Sequence, residues 1–399
     1  MAELTSRERM LRALRREPPD YIPCCFMSFT ALRRQCREDF YELVKAERAM
    51  GLDSFLFIPT APRPERPDHP ALRGLPVRFD PAVETKEWRD ESTGSYPILY
   101  KEYTTPAGKL TASVRLAEDW PHGDHIPFVD DYQVSHSVKP LVTEAAELEI
   151  LPYLLRPPAA DDIAAFQEEA EKARAFAEDE GVLLAGGWGV GADLANWLCG
   201  VENFTLLVHD QPGFAVALLD MIHEWNIQRM SVVLSAPVDL YIKRAWYEGC
   251  DFLTPRFFRE IMLPRLETEV ELAHANGALF GYICSSGTLP MLDCYVEAGV
   301  DVLIGVDPVQ GTHTNLEQMQ QKAAGKLSFW GGVSGAVTVE LGSEDEVRAA
   351  VARAIEALGP TGFILSPVDN ITVDAPRTWY NIDVLIDEWG RRRGIPVTR

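Results

Sequence analysis

The chain has 399 residues, 46% of them hydrophobic and 25% charged, enough to bury a large core in one domain or two. Its 60 acidic against 38 basic residues leave a formal net charge of −22, which repels phosphate backbones and anionic lipid surfaces. Nucleic acid and membranes are excluded as expected partners, and no uncharged apolar stretch approaches the about 18 residues of a membrane span.

The N-terminal residues carry no apolar leader core, so a cytoplasmic protein is expected. Seven scattered cysteines, an odd number, include no repeated C-x-x-C spacing and predict free thiols in a reducing compartment. In chain order, Thr5 and Glu8 frame a capping box that opens a first helix with Met10, Leu11 and Leu14 on its buried face. Pro18-Pro19 ends it, and the apolar run 22–27 predicts a first barrel strand. Residues 51–58 predict a second strand, and the proline-rich stretch 59–70 cannot continue a ladder because proline has no N–H to donate.

Between 77 and 120, polar residues alternate with Tyr100, Tyr103, Leu110, Val114 and Leu116, and Pro106-Ala107-Gly108 breaks the run as a hairpin would. An antiparallel insertion near the barrel mouth, bounded at 76–135, is expected. A helix follows over 161–180, then a buried strand over 182–187, then a loop at 188–191 leading into a helix with Asn196 and Trp197.

Strand-then-helix units succeed one another in the C-terminal half, which implies a parallel sheet. Strands are expected at 278–284, 302–306, 327–330 and 362–365, and helices at 289–298, up to 324, and 343–358, the last opened by the capping box of Ser343 and Glu346. The expected fold is α/β, a single (β/α)8 TIM barrel over 1–399 with a β-rich insertion. No G-x-G-x-x-G follows an early strand, so the dinucleotide ligands of open sheets have no support.

The run SRERMLRAL at 6–14 with EPPDYIP at 17–23, the Trp330-Gly331-Gly332-Val333 motif, GFILSP at 362–367, Thr254-Pro255 with Phe258 and Pro264, and EAGVD at 297–301 resemble the uroporphyrinogen decarboxylase-like superfamily. The resemblance spans nearly the whole chain apart from the hairpin insertion. It implies a barrel with one of two activities: decarboxylation of a tetrapyrrole, or methyl transfer among small methylated compounds, corrinoid proteins and thiols, usually with zinc. The decarboxylases place substrate-holding arginines after Phe-Met in the first strand, whereas this chain reads Phe26-Met27-Ser28-Phe29-Thr30-Ala31-Leu32-Arg33. Lacking that pair, it is ill equipped for a polycarboxylate. The methyltransferase branch places zinc ligands His-x-Cys at the strand end 278–284 and a further Cys after the last strand, where this chain has Tyr282-Ile283-Cys284 and Asp369.

Active sites of such barrels lie on the loops following the strands. Asp369, Glu248 and Tyr282 are the candidates for acid–base chemistry, and Cys284 with Asp369 for Zn²⁺. Trp188, Asn196, Trp246 and Phe29 are candidates for an aromatic-lined wall, joined by Asp307 and His313 at strand-end loops, while His274 reads as structural. Bland alternatives stand beside these readings: Asp369 can cap the next helix or a turn, and aromatics and thiols usually fill a core. Methyl transfer from a small methylated donor, such as a methyl ether or methylamine, to a corrinoid (cobalamin) protein is the leading expectation, with a homodimer allowed for. A metal-free decarboxylase that holds a small acid through Arg33, Arg34 or Lys243 is the alternative, and a non-catalytic barrel is the third.

Overall fold

Short apolar runs become strands when both their faces are covered, and the C-terminal half provides that cover. The computed structural model describes residues 3–58, 75, 77–92, 94–323 and 325–394. The proline-rich stretch at 59–70 lies outside them. Eleven strands are found among the described residues: β1 (Phe55–Ile58), β2 (Glu84–Asp90), β3 (Ile98–Thr105), β4 (Gly108–Arg115), β5 (Ser137–Lys139), β6 (Leu183–Gly189), β7 (Leu240–Arg244), β8 (Leu279–Ile283), β9 (Val302–Val306), β10 (Ser328–Ser334) and β11 (Phe363–Val368).

Two compact units divide the chain: Met1–Pro62 with Gln167–Gly187 and Val233–Arg399, and Arg63–Phe166 with Trp188–Val232. The first unit holds a seven-stranded sheet in the order β1-β6-β7-β8-β9-β10-β11. Its registered neighbours run parallel. Every residue of β7, β9, β10 and β11 is buried, as expected where helices and sheet interior cover the two faces. Helices Leu263–Ala275, Leu292–Ala298, Leu316–Ala323 and Glu344–Leu358 alternate with the strands, and Gly299 ends the second in the left-handed conformation at φ 81°.

The strand expected over 22–27 is corrected to a single bridge, Cys24 to Leu365. Pro23 can only accept, from Leu365 N at 2.9 Å, and Cys25 N returns a bond to Leu365 O at 3.0 Å. On its other side Cys24 O accepts from Asp53 N at 2.8 Å while Cys24 N donates to the Asp53 carboxylate at 3.2 Å, so a side chain replaces a ladder partner. Residues 23–25 are thus hydrogen-bonded to β11 and to the residues just before β1, the two edge strands of the sheet. Arg9, 1% exposed, braces this seam through Asp53 at 2.7 Å and Asp20 at 2.7 Å. Both capping boxes form as read.

The second unit holds the antiparallel sheet β2-β3-β4-β5. The hairpin joins β3 to β4 with Thr105 opposite Gly108, whose φ of 141° only glycine adopts readily. Leu99, Val114, Trp120 and Ile126 form its core. Among the described residues no helix is long and apolar enough to cross a membrane.

Candidate active site

The ends of β7 and β8 carry a cluster of buried polar side chains. Lys243 pairs in register with Tyr282, so their side chains project on one face of the sheet. That face is covered by helices: Lys243 Nζ lies 2.7 Å from Glu269 on Leu263–Ala275, and the Tyr282 ring lies 4.8 Å from Tyr295 on Leu292–Ala298. Glu248, just beyond β7, folds back into the same layer, accepting from the Tyr282 hydroxyl and lying 3.9 Å from Lys243 Nζ. Lys243, Glu248 and Glu269 are each at most 2% exposed. Burial and the neighbouring Glu248 charge push the Tyr282 phenol well above its ordinary range, so it stays a hydrogen-bond donor.

Cys284 continues the alternation and is fully buried; its Sγ donates to Ser286 O at 3.3 Å. The placing of Tyr282 and Cys284 among residues that meet substrate or metal at the loops is therefore corrected. They face the helix layer, because an alternation of period two says which residues share a face but not which face the helices take. Trp330, in the middle of β10, projects on the opposite side, packing edge-on to Phe55 at 5.3 Å and donating from Nε1 to Cys25 O at 2.8 Å.

Three successive strand-end loops are tied together by one carboxylate. Asp251, after β7, accepts from Ser286, after β8, and from Thr312, after β9. Thr312 N donates to Ser286 Oγ at 3.0 Å, Gly287 N to Thr312 O at 2.9 Å, and Cys250 N to Gly287 O at 3.0 Å. The loops meet backbone to backbone: a Cβ on Gly249 would sit 2.1 Å from Ser286 O.

The other expected residues take separate places. Asp307 is 2% exposed and its Oδ1 accepts from Val309 N at 2.8 Å and Gln310 N at 3.0 Å, the turn-capping role. His313 is exposed in that loop, with a left-handed φ of 47°, and His274 bonds Asp301 at 2.8 Å as a structural residue. Phe29 is packed between Phe26 and Trp379, at 4.9 and 5.6 Å. Trp246 lies under the Arg244 guanidinium at 4.3 Å. In the second unit Trp188 is buried within β6, which runs through Gly189 where a loop was expected, and Asn196 donates to Ala192 O at 2.7 Å. Asp369 stands exposed immediately after β11. Its neighbour Asn370 clamps Thr30 through two bonds, of 3.1 and 2.9 Å.

Glu269, absent from the sequence reading, had a legible signal: it lies on the buried stripe of Leu266, Val270 and Ala273, where an acidic residue needs a partner. The cations offered to a small acid are committed elsewhere: Arg33 to Glu38 at 2.6 Å, Arg34 to Thr372 O at 3.1 Å and Lys243 to Glu269. Zinc does not fit the donor set seen here. The phenol standing where the family has an imidazole is engaged with Glu248, and among the described residues no three His, Cys, Asp or Glu side chains gather as a metal-binding group.

Comparison with known proteins agrees with this architecture. Among solved structures, the chain is similar to a methyltransferase from Methanosarcina mazei, with 17% identity, a TM-score of 0.55, and coverage of 98% of this chain and 99% of that one. A B12-independent methionine synthase from Shewanella sp. W3-18-1 aligns with 9% identity and a TM-score of 0.38 over 56% of this chain and 65% of that one. No curated protein matches the chain in sequence. Residues 126–389 match the family described as uroporphyrinogen decarboxylase (URO-D), and the chain belongs to that family.

Proposed function

We propose that this protein is a methyltransferase that moves the methyl group of a small methylated compound, a methyl ether or methylamine, to a corrinoid protein. The observation that carries this reading is the end-to-end likeness to the Methanosarcina methyltransferase, in a family member that lacks the decarboxylase arginines after Phe26-Met27. Arg33 and Arg34, the nearest substitutes, are occupied within the chain.

Breaking a methyl ether leaves an electron pair on oxygen, which must take up a proton before it can depart as an alcohol. The acceptor's reduced cobalt supplies the nucleophile that receives the methyl group. Asp369 is the carboxyl group we assign to the proton, because it stands exposed at the end of β11, where barrel enzymes collect substrate-facing residues. Glu248 and Tyr282 hold the backbone that follows β7 from beneath and so orient Trp246 as a wall for the donor. The test is incubation of the purified protein with reduced cobalamin and a panel of methyl ethers, methylamines and methyl thioethers. Methylcobalamin absorbance with at least one donor is the expected result. Absence of it across the panel, with CO2 released from a carboxylic acid instead, would overturn the assignment.

A further inference from the structure

Strand β2 is a terminal strand of the antiparallel sheet, hydrogen-bonded to β3 on one side only among the described residues. Six of its seven residues are charged or aromatic: Glu84, Lys86, Glu87, Trp88, Arg89 and Asp90. Charges on an edge strand commonly serve to repel other edges. Trp88 does not serve that purpose. It is 38% exposed, stacked flat on Tyr100 with ring centres 5.2 Å apart and planes 3° from parallel, and Lys86 Nζ stands 5.7 Å from its ring. The result is a rigid aromatic platform at the open edge of a sheet.

The order of charges around Trp88 is self-complementary. When two copies of β2 run antiparallel about a two-fold axis through Trp88, Lys86 of each faces Asp90 of the other, Glu87 faces Arg89, and the two Trp88 rings meet on the axis. Neighbouring registers fail. Centring on Glu87 sets Glu87 against itself and Glu84 against Asp90, while centring on Arg89 sets Arg89 against itself and Glu87 against Glu91. Glu87 is held within its own chain, accepting from Ile126 N at 2.8 Å and bonding His125 Nδ1 at 3.1 Å, so the register rests on Lys86 and Asp90, whose present contacts permit the exchange. Arg89 holds Glu91 at 2.6 Å and Asp124 at 3.1 Å at the open surface, and Asp90 spends Oδ1 on Ser92.

We propose that β2 is a dimerisation edge: two copies of this chain join their four-stranded sheets into one eight-stranded antiparallel sheet in the Trp88-centred register. Main-chain bonds would supply the affinity and the two Lys86–Asp90 pairs the register. The test is sedimentation of the full chain over a concentration series, with Lys86→Glu, Asp90→Lys and their equimolar mixture, each first shown by thermal melting to be folded. The wild type is expected to dimerise reversibly, and each single variant to dissociate about tenfold more readily, because it places like charges opposite each other twice. The mixture should recover the wild-type constant within about threefold, since a heterodimer of the two variants has opposite charges at both positions. A wild type that is monomeric at about 100 μM, variants that dimerise unchanged, or a mixture no tighter than its components would overturn the proposal.

Discussion

The Tyr282 hydroxyl donates to the Glu248 carboxylate across the gap between β8 and the segment that follows β7, and both groups are sealed beneath that segment. A buried carboxylate that loses a donor carries most of its desolvation cost. Tyr282→Phe should therefore lower unfolding stability by about 1–3 kcal/mol, read from the urea midpoint at constant m-value. Methyl-transfer kcat should stay within a few-fold, because this pair supports the site from the helix side. A loss of kcat larger than about a hundredfold with unchanged stability would move Tyr282 into the chemistry.

Asp369 carries the opposite expectation. It is exposed, so Asp369→Asn should leave stability within about 0.5 kcal/mol, while methyl transfer from oxygen donors falls by about 10²-fold or more. Donors whose leaving group needs no proton, such as a quaternary ammonium, should be spared. Equal losses for both donor types would remove Asp369 as the acid.

Much of this architecture is local and was therefore legible. The capping boxes of Thr5 with Glu8 and Ser343 with Glu346 involve residues three apart, and β9 spans the expected 302–306. β7 is hard to read because Lys243 and Arg244 spoil the apolar run; only the fold supplies Glu269 and Trp246 to receive them. Asp307, expected beside the substrate, caps its own turn instead, a bond that a strand-end position alone does not announce. What the string of residues could not convey is the choice of face. Tyr282 and Cys284 do share a side, yet that side is decided by helices whose docking depends on contacts dozens of residues away.

Glu47 gives a pH signature. It is 4% exposed, and burial lifts its carboxyl from the ordinary 4.5 to about 8, although the Ser54 hydroxyl hydrogen-bonds to it and pulls the other way. The folded state thus keeps a proton that the unfolded chain releases. The contribution of this group is fully favourable below about pH 4.5 and is lost progressively as the pH rises to about 8. Glu47→Gln retains an acceptor for Ser54 and cannot ionise, so its stability relative to the wild type should rise between pH 5 and pH 9 by an amount on the order of several kcal/mol. A difference that stays flat across that range in parallel denaturation curves would show that Glu47 ionises normally.

The seam of the sheet depends on a cation of fixed shape. Arg9 reaches Asp20 through Nε and Nη2, Asp53 through Nη1 and Leu4 O through Nη2, which a point charge cannot reproduce. Arg9→Met should cost about 3 kcal/mol by leaving the buried Asp53 with only the more distant Arg48, at 3.9 Å, as counter-charge, and Arg9→Lys should recover less than half of that in the same denaturation measurement.

The knot that Asp251 makes with Ser286 and Thr312 also sets how the rim of the sheet breathes. The amides of Cys250, Gly287 and Thr312 sit on three different loops, yet each donates to a neighbour in the same tie. None can reach solvent deuterium by a movement of its own loop alone, so the three should exchange at one common rate, as a single cooperative unit.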